Sequence, residues 1–332
     1  MRLPSVLPAA LRRAGAALVL LWLVVTITFA LVRLAPGDAA ALLIPPGASA
    51  EDVARLRSEL GLDQPVVVQY ARWIGNLLRG DLGESFSLRR PVAEALGDAL
   101  PISLGLGLAS IALTFVIGVP LGIIQAARRG RPLDHILTVI TTAVYAAPTY
   151  WLALALVAVF TYGAAMWGLP MAMRLPAFGL RTPGAELEGV PALLDLIRHS
   201  VLPVSILSAV GAAGIARYAR SSVADVLRQD FVRTARAKGA PERRIYGRHV
   251  LANVLPPLVV LFALALPGVV AGSVFVESVF AWPGMGRTMV TAIQARDYPM
   301  VMGVTVIYAG LVIAANLGAE LALPVLDPRR RS

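Results

Sequence analysis

Side chains able to do chemistry are few in this sequence, and they are scattered. The three histidines, His135, His199 and His249, fall in or beside separate polar stretches, too dispersed to meet round a metal ion. There is no cysteine, which excludes disulfides, thiolate metal sites and cysteine nucleophiles and leaves the compartment undetermined by thiol usage. The one lysine, Lys238, is followed by Gly239; a phosphate-cradling loop needs Lys followed by Ser or Thr, so the chain does not bind ATP in that way. Neither His-Glu-x-x-His nor Gly-x-Ser-x-Gly occurs, so an intramembrane hydrolase has little support. Nothing calls for a cofactor.

The polar residues gather instead in Arg217 to Pro257, RYARSSVADVLRQDFVRTARAKGAPERRIYGRHVLANVLPP, with nine Arg or Lys against Asp225, Asp230 and Glu242. Its punctuation predicts a helix of about eight residues, Phe231 to Lys238. Asp230 is placed to cap its first N–H groups, Gly239 supplies the left-handed position that ends it, and Pro241 forbids continuation and opens a second helix. So short a helix is marginal alone in water and needs something to lie against. Its centre is small (Thr234, Ala235, Ala237) and its flanks are basic (Arg233, Arg236, Lys238). A solvated basic loop, a lipid-headgroup patch and a nucleic-acid patch compete with a docking element. Composition favours the solvated loop, and the defined start and stop around small residues favour docking.

The surrounding elements are membrane-like. The 332 residues are 57% hydrophobic and 15% charged, with a mean hydropathy of +0.72, too apolar for an ordinary soluble globule. Six apolar runs are long enough to be candidate spans: Ala14–Leu34, Pro101–Ile124, Ile136–Tyr162 broken by Pro148, Val201–Ala216, Pro256–Phe280 and Met300–Leu323. The first is longer than the apolar region of a cleaved signal and reads as an uncleaved anchor. Gly118 with Gly122, and Gly268 with Gly272, have the spacing that lets helices approach closely. Between the first two runs lies a polar region in which Ser49 and Asp52 resemble a capping box, Gly61 closes one helix, and Pro65 starts another that Gly80 ends. The expected organisation is therefore a tail and first span over residues 1–35, an extracytoplasmic subdomain over 36–98, a five-helix core over 99–326 carrying the loop 217–257, and a tail over 327–332.

Six spans place both termini on one side. That side holds 18 Arg and Lys on about 70 residues, and the other holds 11 on roughly 120. The asymmetry predicts cytoplasmic termini and a cytoplasmic basic loop, and it accounts for the formal charge of +10 without nucleic acid. Glu277 then sits near the outer end of the fifth span, either as a pathway or gate residue or as an interface acid satisfied by its neighbours. Asn316 and Glu320 share a helix face at i, i+4, and Asn316 is a second candidate for the pathway or gate. Arg296 and Asp297 lie outside, as a contact for a binding protein or as a solvated turn.

The basic stretch resembles the cytoplasmic loop of binding-protein-dependent ABC importer permeases, in the dipeptide/oligopeptide/nickel branch. Other segments agree in order: RLAPGDAA at Arg33 to Ala40, ELGLDQPVVVQY at Glu59 to Tyr70, GDLGES at Gly80 to Ser85, ESVFAWPGMG at Glu277 to Gly286, ARDYP at Ala295 to Pro299 and LDPR at Leu326 to Arg329. They cover nearly the whole chain and are specific for the branch, in its first, B-type subunit. The resemblance implies an all-α, six-span, type I importer permease in a bacterial or archaeal cytoplasmic membrane. Its implied partners are a second, related permease subunit, two ATPase subunits and an extracytoplasmic substrate-binding protein. Phe231 and Arg233 to Gly239 would form the coupling helix seated in an ATPase subunit, with Ala235 in the small-residue position. The chain departs from the general Glu-Ala-Ala pattern with Arg233, Thr234 and Ala235, has a longer gap before Leu255 and Pro256, and carries Ser103 where Thr is more usual and Glu320 where the branch prefers Asp. The implied cargo is a di- or oligopeptide, with nickel, glutathione or opines as alternatives. A secondary transporter is disfavoured because the spans are nearly uncharged, and a membrane-bound enzyme because no catalytic constellation is present.

Overall fold

The computed structural model describes residues 6–34, 49–59, 61–170, 173–271 and 274–326. Among them the protein is helical, with one isolated bridge between Glu84 and Pro91 and no strand. The helices are α1 (Val6–Leu34), α2 (Ala50–Glu59), α3 (Val66–Leu78), α4 (Val92–Ala127), α5 (Pro132–Ala146), α6 (Thr149–Val157), α7 (Ala164–Met166), α8 (Gly189–Leu227), α9 (Asp230–Ala237), α10 (Glu242–Arg244), α11 (Leu251–Ala271), α12 (Val274–Val279), α13 (Met285–Gln294) and α14 (Tyr298–Leu326). Wide π turns at Ala158–Gly163 and Ile245–Val250 join α6 to α7 and α10 to α11 without interrupting the helical path. Six helical segments among the described residues are long and apolar enough to cross a membrane: Gly15–Leu34, Val92–Ala127, Thr149–Met166, Gly189–Leu227, Glu242–Val269 and Tyr298–Ala319. Their large apolar side chains stand largely exposed, as on Leu18, Trp22 and Leu31 of α1. That is the surface lipid would cover, with every backbone group satisfied inside its own helix.

The number of spans agrees with the sequence reading, but several boundaries move. The third run breaks at Pro148, as expected, and the part after the break alone, Thr149–Met166, has the length and hydropathy of a span. The fourth is not a short apolar helix. α8 is 39 residues long and takes in both the polar stretch before Val201 and the first eleven residues of the basic stretch. Pro256 and Pro257 do not open the fifth helix; they lie inside α11, where each removes one intrahelical N–H donor.

Two compact units divide the chain, residues 1–103 with 283–317, and residues 104–282 with 318–332. In the first, Phe29, Val92, Leu96, Met285, Met300 and Val304 form the core. α3 lies on α1: Phe29 meets Tyr70 edge-on at 5.2 Å and stacks with Trp73 at 5.7 Å, and the Thr26 hydroxyl shares a 2.7 Å hydrogen bond with the Tyr70 hydroxyl. The capping box forms as read. The Asp52 N–H donates to Ser49 Oγ (3.1 Å) and the Ser49 N–H to Asp52 Oδ2 (3.3 Å). The Ser103 hydroxyl, buried in α4, accepts the N–H of Met285 (2.8 Å) and so satisfies an otherwise free donor at the start of α13.

In the second unit the glycine spacing in α4 is used. A methyl on Gly118 would stand 2.9 Å from the Ala212 carbonyl oxygen, and one on Gly122 would stand 2.5 Å from that of Ala216. Only glycine lets α4 and α8 come this close. Gly268 behaves otherwise, with no heavy atom within 4 Å of where its Cβ would be; Gly272 lies outside the described residues. The close partner of α11 is Gly107, whose added methyl would meet Val269 Cγ1 at 2.6 Å.

Candidate functional site: the short basic helix and its seat

α9 forms as one short helix, with its start shifted by a residue. Gln229, in extended conformation, is the N-cap, and Asp230 is already helical. The Asp230 carboxylate turns to Arg233 at 3.5 Å instead of capping the N–H groups. The stop is as read. Gly239 has φ of +76°, its N–H donates to the Arg236 carbonyl (2.9 Å), and the Ala240 N–H donates to that of Ala235 (3.1 Å). This pair of bonds is the Schellman arrangement that returns a helix end to solvent without orphan carbonyls. Pro241 is the N-cap of α10, not its first residue.

What holds so short a helix is a cluster beneath it. Val232 is fully buried among Val223 of α8, Ile245 and Val250 of the π turn, and Val254 and Leu258 of α11. Ala235, one turn on, packs against the same cluster. Burial of this face supplies what eight residues lack in intrinsic stability. The opposite face carries Arg233, Thr234, Ala237, Lys238 and Gly239, all exposed, with Phe231 at its edge 40% exposed and 6.4 Å from the His249 ring. Arg236 reaches sideways to Glu242, its Nε donating to Oε1 (2.9 Å) and its Nη2 to Oε2 (3.3 Å). That hydrogen bond raises the Arg236 guanidinium above its ordinary value. The helix therefore has a chain-facing side, Val232 and Ala235, and an outward side that is small, basic and unencumbered. Ala235, expected in the small-residue position of the contact, is half-buried and packs against this cluster.

A further ion pair fastens α5 to α8, one of the helices on which α9 is seated. Asp134, at the start of α5 and only 2% exposed, accepts a 2.8 Å hydrogen bond from Arg220 Nη2 of α8, whose side chain is 34% exposed. It also accepts the Gly130 N–H (3.0 Å). The Arg220 hydrogen bond, more than any other influence, holds the Asp134 carboxyl below its ordinary value. Arg217, three residues earlier, stacks over the Tyr145 ring at 4.0 Å. Neither contact was legible in the sequence, where these arginines were part of a charge run.

The other nominated residues do not join this site. Glu277 is fully buried in α12 and has interacting partners, in keeping with a satisfied interface acid. Asn316 is exposed on α14; the side chain of Glu320 lies outside the described residues. Arg296 is exposed at φ of +55°, the left-handed end of α13. Asp297 is not on the surface. Its carboxylate accepts hydrogen bonds from Ser85 Oγ (2.6 Å), Ser87 Oγ (2.7 Å), Ser87 N–H (2.9 Å) and Met300 N–H (3.2 Å). It caps α14 and clasps the turn after Gly80. Burial pushes this carboxyl up, but the hydrogen bonds from Ser85, Ser87 and Met300 outweigh that and leave it below its ordinary value. A fully buried, saturated carboxylate has nothing left to offer a partner protein.

Among the described residues, six helices able to cross a membrane, with a short, firmly seated basic helix between two of them, define an all-α, polytopic membrane protein. The fold resembles a chain of the MetNI methionine ABC transporter solved in inward-facing conformations, with a TM-score of 0.51 over 70% of this chain and 96% of that one at 19% identity. The chain belongs to the family described as binding-protein-dependent transport system inner membrane component, matched over residues 118–332, with that family's N-terminal part matched over residues 6–107. It is 36% identical to the oligopeptide transport system permease protein AppB of Bacillus subtilis (strain 168) over 96% of this chain and 98% of that one. It is 38% identical to the probable D,D-dipeptide transport system permease protein DdpB of Escherichia coli (strain K12) over 92% of each. The protein is thus a multi-pass permease subunit of an ABC importer rather than an enzyme.

Proposed function

We propose that this permease imports short peptides across a bacterial cytoplasmic membrane as one half of a pathway shared with a second, related permease. Its termini lie in the cytoplasm, where the denser Arg and Lys collect. An extracytoplasmic binding protein delivers the cargo, and two ATPase subunits supply the work. The peptide reading is supported by the relatives named above, which align over nearly the whole chain.

The observation that carries the coupling assignment is the two-faced build of α9. Val232 locks the helix to α8 and α11, while Thr234, Ala237 and Gly239 leave room for another backbone, with Arg233 and Lys238 at the rim. A push on the outer face is then delivered to two long helices instead of being lost in a yielding loop. ATP-driven closure of the two motors would rotate the spans between inward-open and outward-open arrangements. Transmission requires that docking differ in free energy between the two.

The chain has no cysteine, so single cysteines at Thr234 or Ala237 provide unambiguous crosslinking sites. In the assembled importer they should link to an ATPase subunit, with a yield that changes when ATP is bound and hydrolysis blocked. A crosslink that never reaches the ATPase overturns the assignment.

A further inference from the structure

We infer that the unit formed by residues 1–103 and 283–317 contains a binding site for a short zwitterionic peptide, separate from the coupling site and from the span interior. It is a half-open cavity of about 640 Å³ lined by the last turn of α1, the end of α2, one face of α3, the turn after Gly80 and the first turns of α14. That volume lies in the range of sites that hold small organic ligands. For the origin of its ligand the inference rests on the peptide-import reading; the site itself stands on the chemistry of its walls.

Three guanidinium groups, those of Arg33, Arg72 and Arg89, line the cavity. Among the described residues none of the three side chains makes a hydrogen bond or an ion pair. Arg33 lies over the Phe29 ring, 5.4 Å from its centroid. Three carboxylates lie on the lining: Asp81, which accepts the Gly83 N–H (2.8 Å), and Glu59 and Glu84, which have no hydrogen-bonding or ionic partner among the described residues. Arg72, Arg89, Glu59 and Glu84 are exposed and Arg33 is half-buried, so water solvates these charges until a ligand brings groups of the opposite sign.

Gln69 adds a directional group. Its amide nitrogen donates to the Gln64 carbonyl (2.8 Å) and to that of Leu62 (3.4 Å), which fixes which way the amide points. Its Oε1 is buried and has no hydrogen-bond partner. A buried acceptor left unmade is costly, and a ligand N–H arriving in the cavity would satisfy it. Phe29, Trp73 and Tyr298 supply the apolar wall.

These groups select a ligand class. An inorganic anion would meet the arginines but be repelled by Glu59 and Glu84, an inorganic cation would have no use for three guanidiniums, and an acyl chain would leave both sets of charges unmet. A free peptide presents a carboxylate for the arginines, an ammonium for the acids, an N–H for Gln69 and side chains for the rings.

The test uses the permease assembled with its partner subunits in lipid nanodiscs, without the binding protein, titrated calorimetrically with trialanine and with N-acetyl-trialanine amide. Trialanine should bind saturably, and the doubly blocked peptide should bind about tenfold or more weakly, as expected for the loss of charge-assisted hydrogen bonds. Arg72→Gln, on the exposed side of α3, should weaken trialanine by a similar factor. Arg33→Gln should do the same, and Arg72→Gln decides alone if the Arg33 variant fails to assemble. Binding should also change tryptophan emission in the wild type and not in Trp73→Phe. Absent binding, equal affinity for the blocked peptide, an unaffected Arg72→Gln variant or an emission change retained in Trp73→Phe would each overturn the site. Uptake of labelled trialanine by the complete importer is measured separately. Uptake without cavity binding removes this inference and leaves the import reading intact; cavity binding without uptake does the reverse.

Discussion

Replacing Val232 by Ala probes the seat of α9 most directly. Val232 is the one fully buried side chain of that helix, and it touches a cluster drawn from α8, the π turn and α11. The change deletes two methyl groups. At about 0.8 kcal/mol per buried carbon, with a further contribution from the cavity left behind, the seat should weaken by about 2 kcal/mol. An eight-residue helix has almost no stability of its own to offset this, so the loss should appear as local opening. Hydrogen–deuterium exchange of the Asp230–Ala240 amides should then quicken by about thirtyfold, while exchange in α3, in the other compact unit, stays unchanged. In the complete importer the variant should hydrolyse more ATP per peptide moved, because the lever yields before the spans do. Arg233→Ala, on the exposed face, should leave α9 exchange within about twofold. The reasoning fails if Val232→Ala leaves the exchange of α9 where it was, or if wild-type α9 already exchanges like an unstructured segment.

Ala237→Leu adds bulk to the outward face and should block assembly with the ATPase subunits while leaving the melting temperature of the isolated permease within about 2 °C, as co-purification and thermal unfolding would show. Gly122→Leu should cost about 3 kcal/mol or prevent accumulation of folded protein, since its Cβ would collide with the Ala216 carbonyl; Gly268→Leu, with open space around it, should show no such penalty in the same detergent-stability assay. Asp297→Ala leaves the Ser85 hydroxyl and the Met300 N–H without their acceptor and should destabilise by about 3 kcal/mol near neutral pH. Because the folded carboxyl is held below its ordinary value, its contribution is present above the ordinary carboxylate range and lost as pH falls through the folded value. The difference in melting between wild type and variant should therefore shrink below about pH 4. Asp134→Ala strands Arg220 and should cost about 2 kcal/mol, less than for a fully buried pair because Arg220 is partly in water; partial recovery in the double variant with Arg220→Ala would confirm the coupling.

Much of this protein could be read from local pattern alone. Apolar length announces a span wherever the backbone must satisfy itself, so six were countable before any of them was placed. Gly239 signals a helix stop because few other residues tolerate its positive φ, and the Ser49–Asp52 box is complete within four residues. The spacing of Gly118 and Gly122 implied a close neighbour, though not that α8 would be the one. What escaped the sequence depends on residues far away in it. Which face of α9 turns inward is decided by Val223 and Val254, and that decision leaves Ala235 half-buried against the same cluster. Asp297 looked like a surface acid because Ser85, its nearest hydrogen-bond partner, is 212 positions away. Asp134 and Arg220, 86 apart, were hidden in the same manner. Short-range sterics and backbone hydrogen bonding write themselves into neighbouring letters; the burial of a polar group depends on what the folded chain brings to it, and only the tertiary structure supplies that.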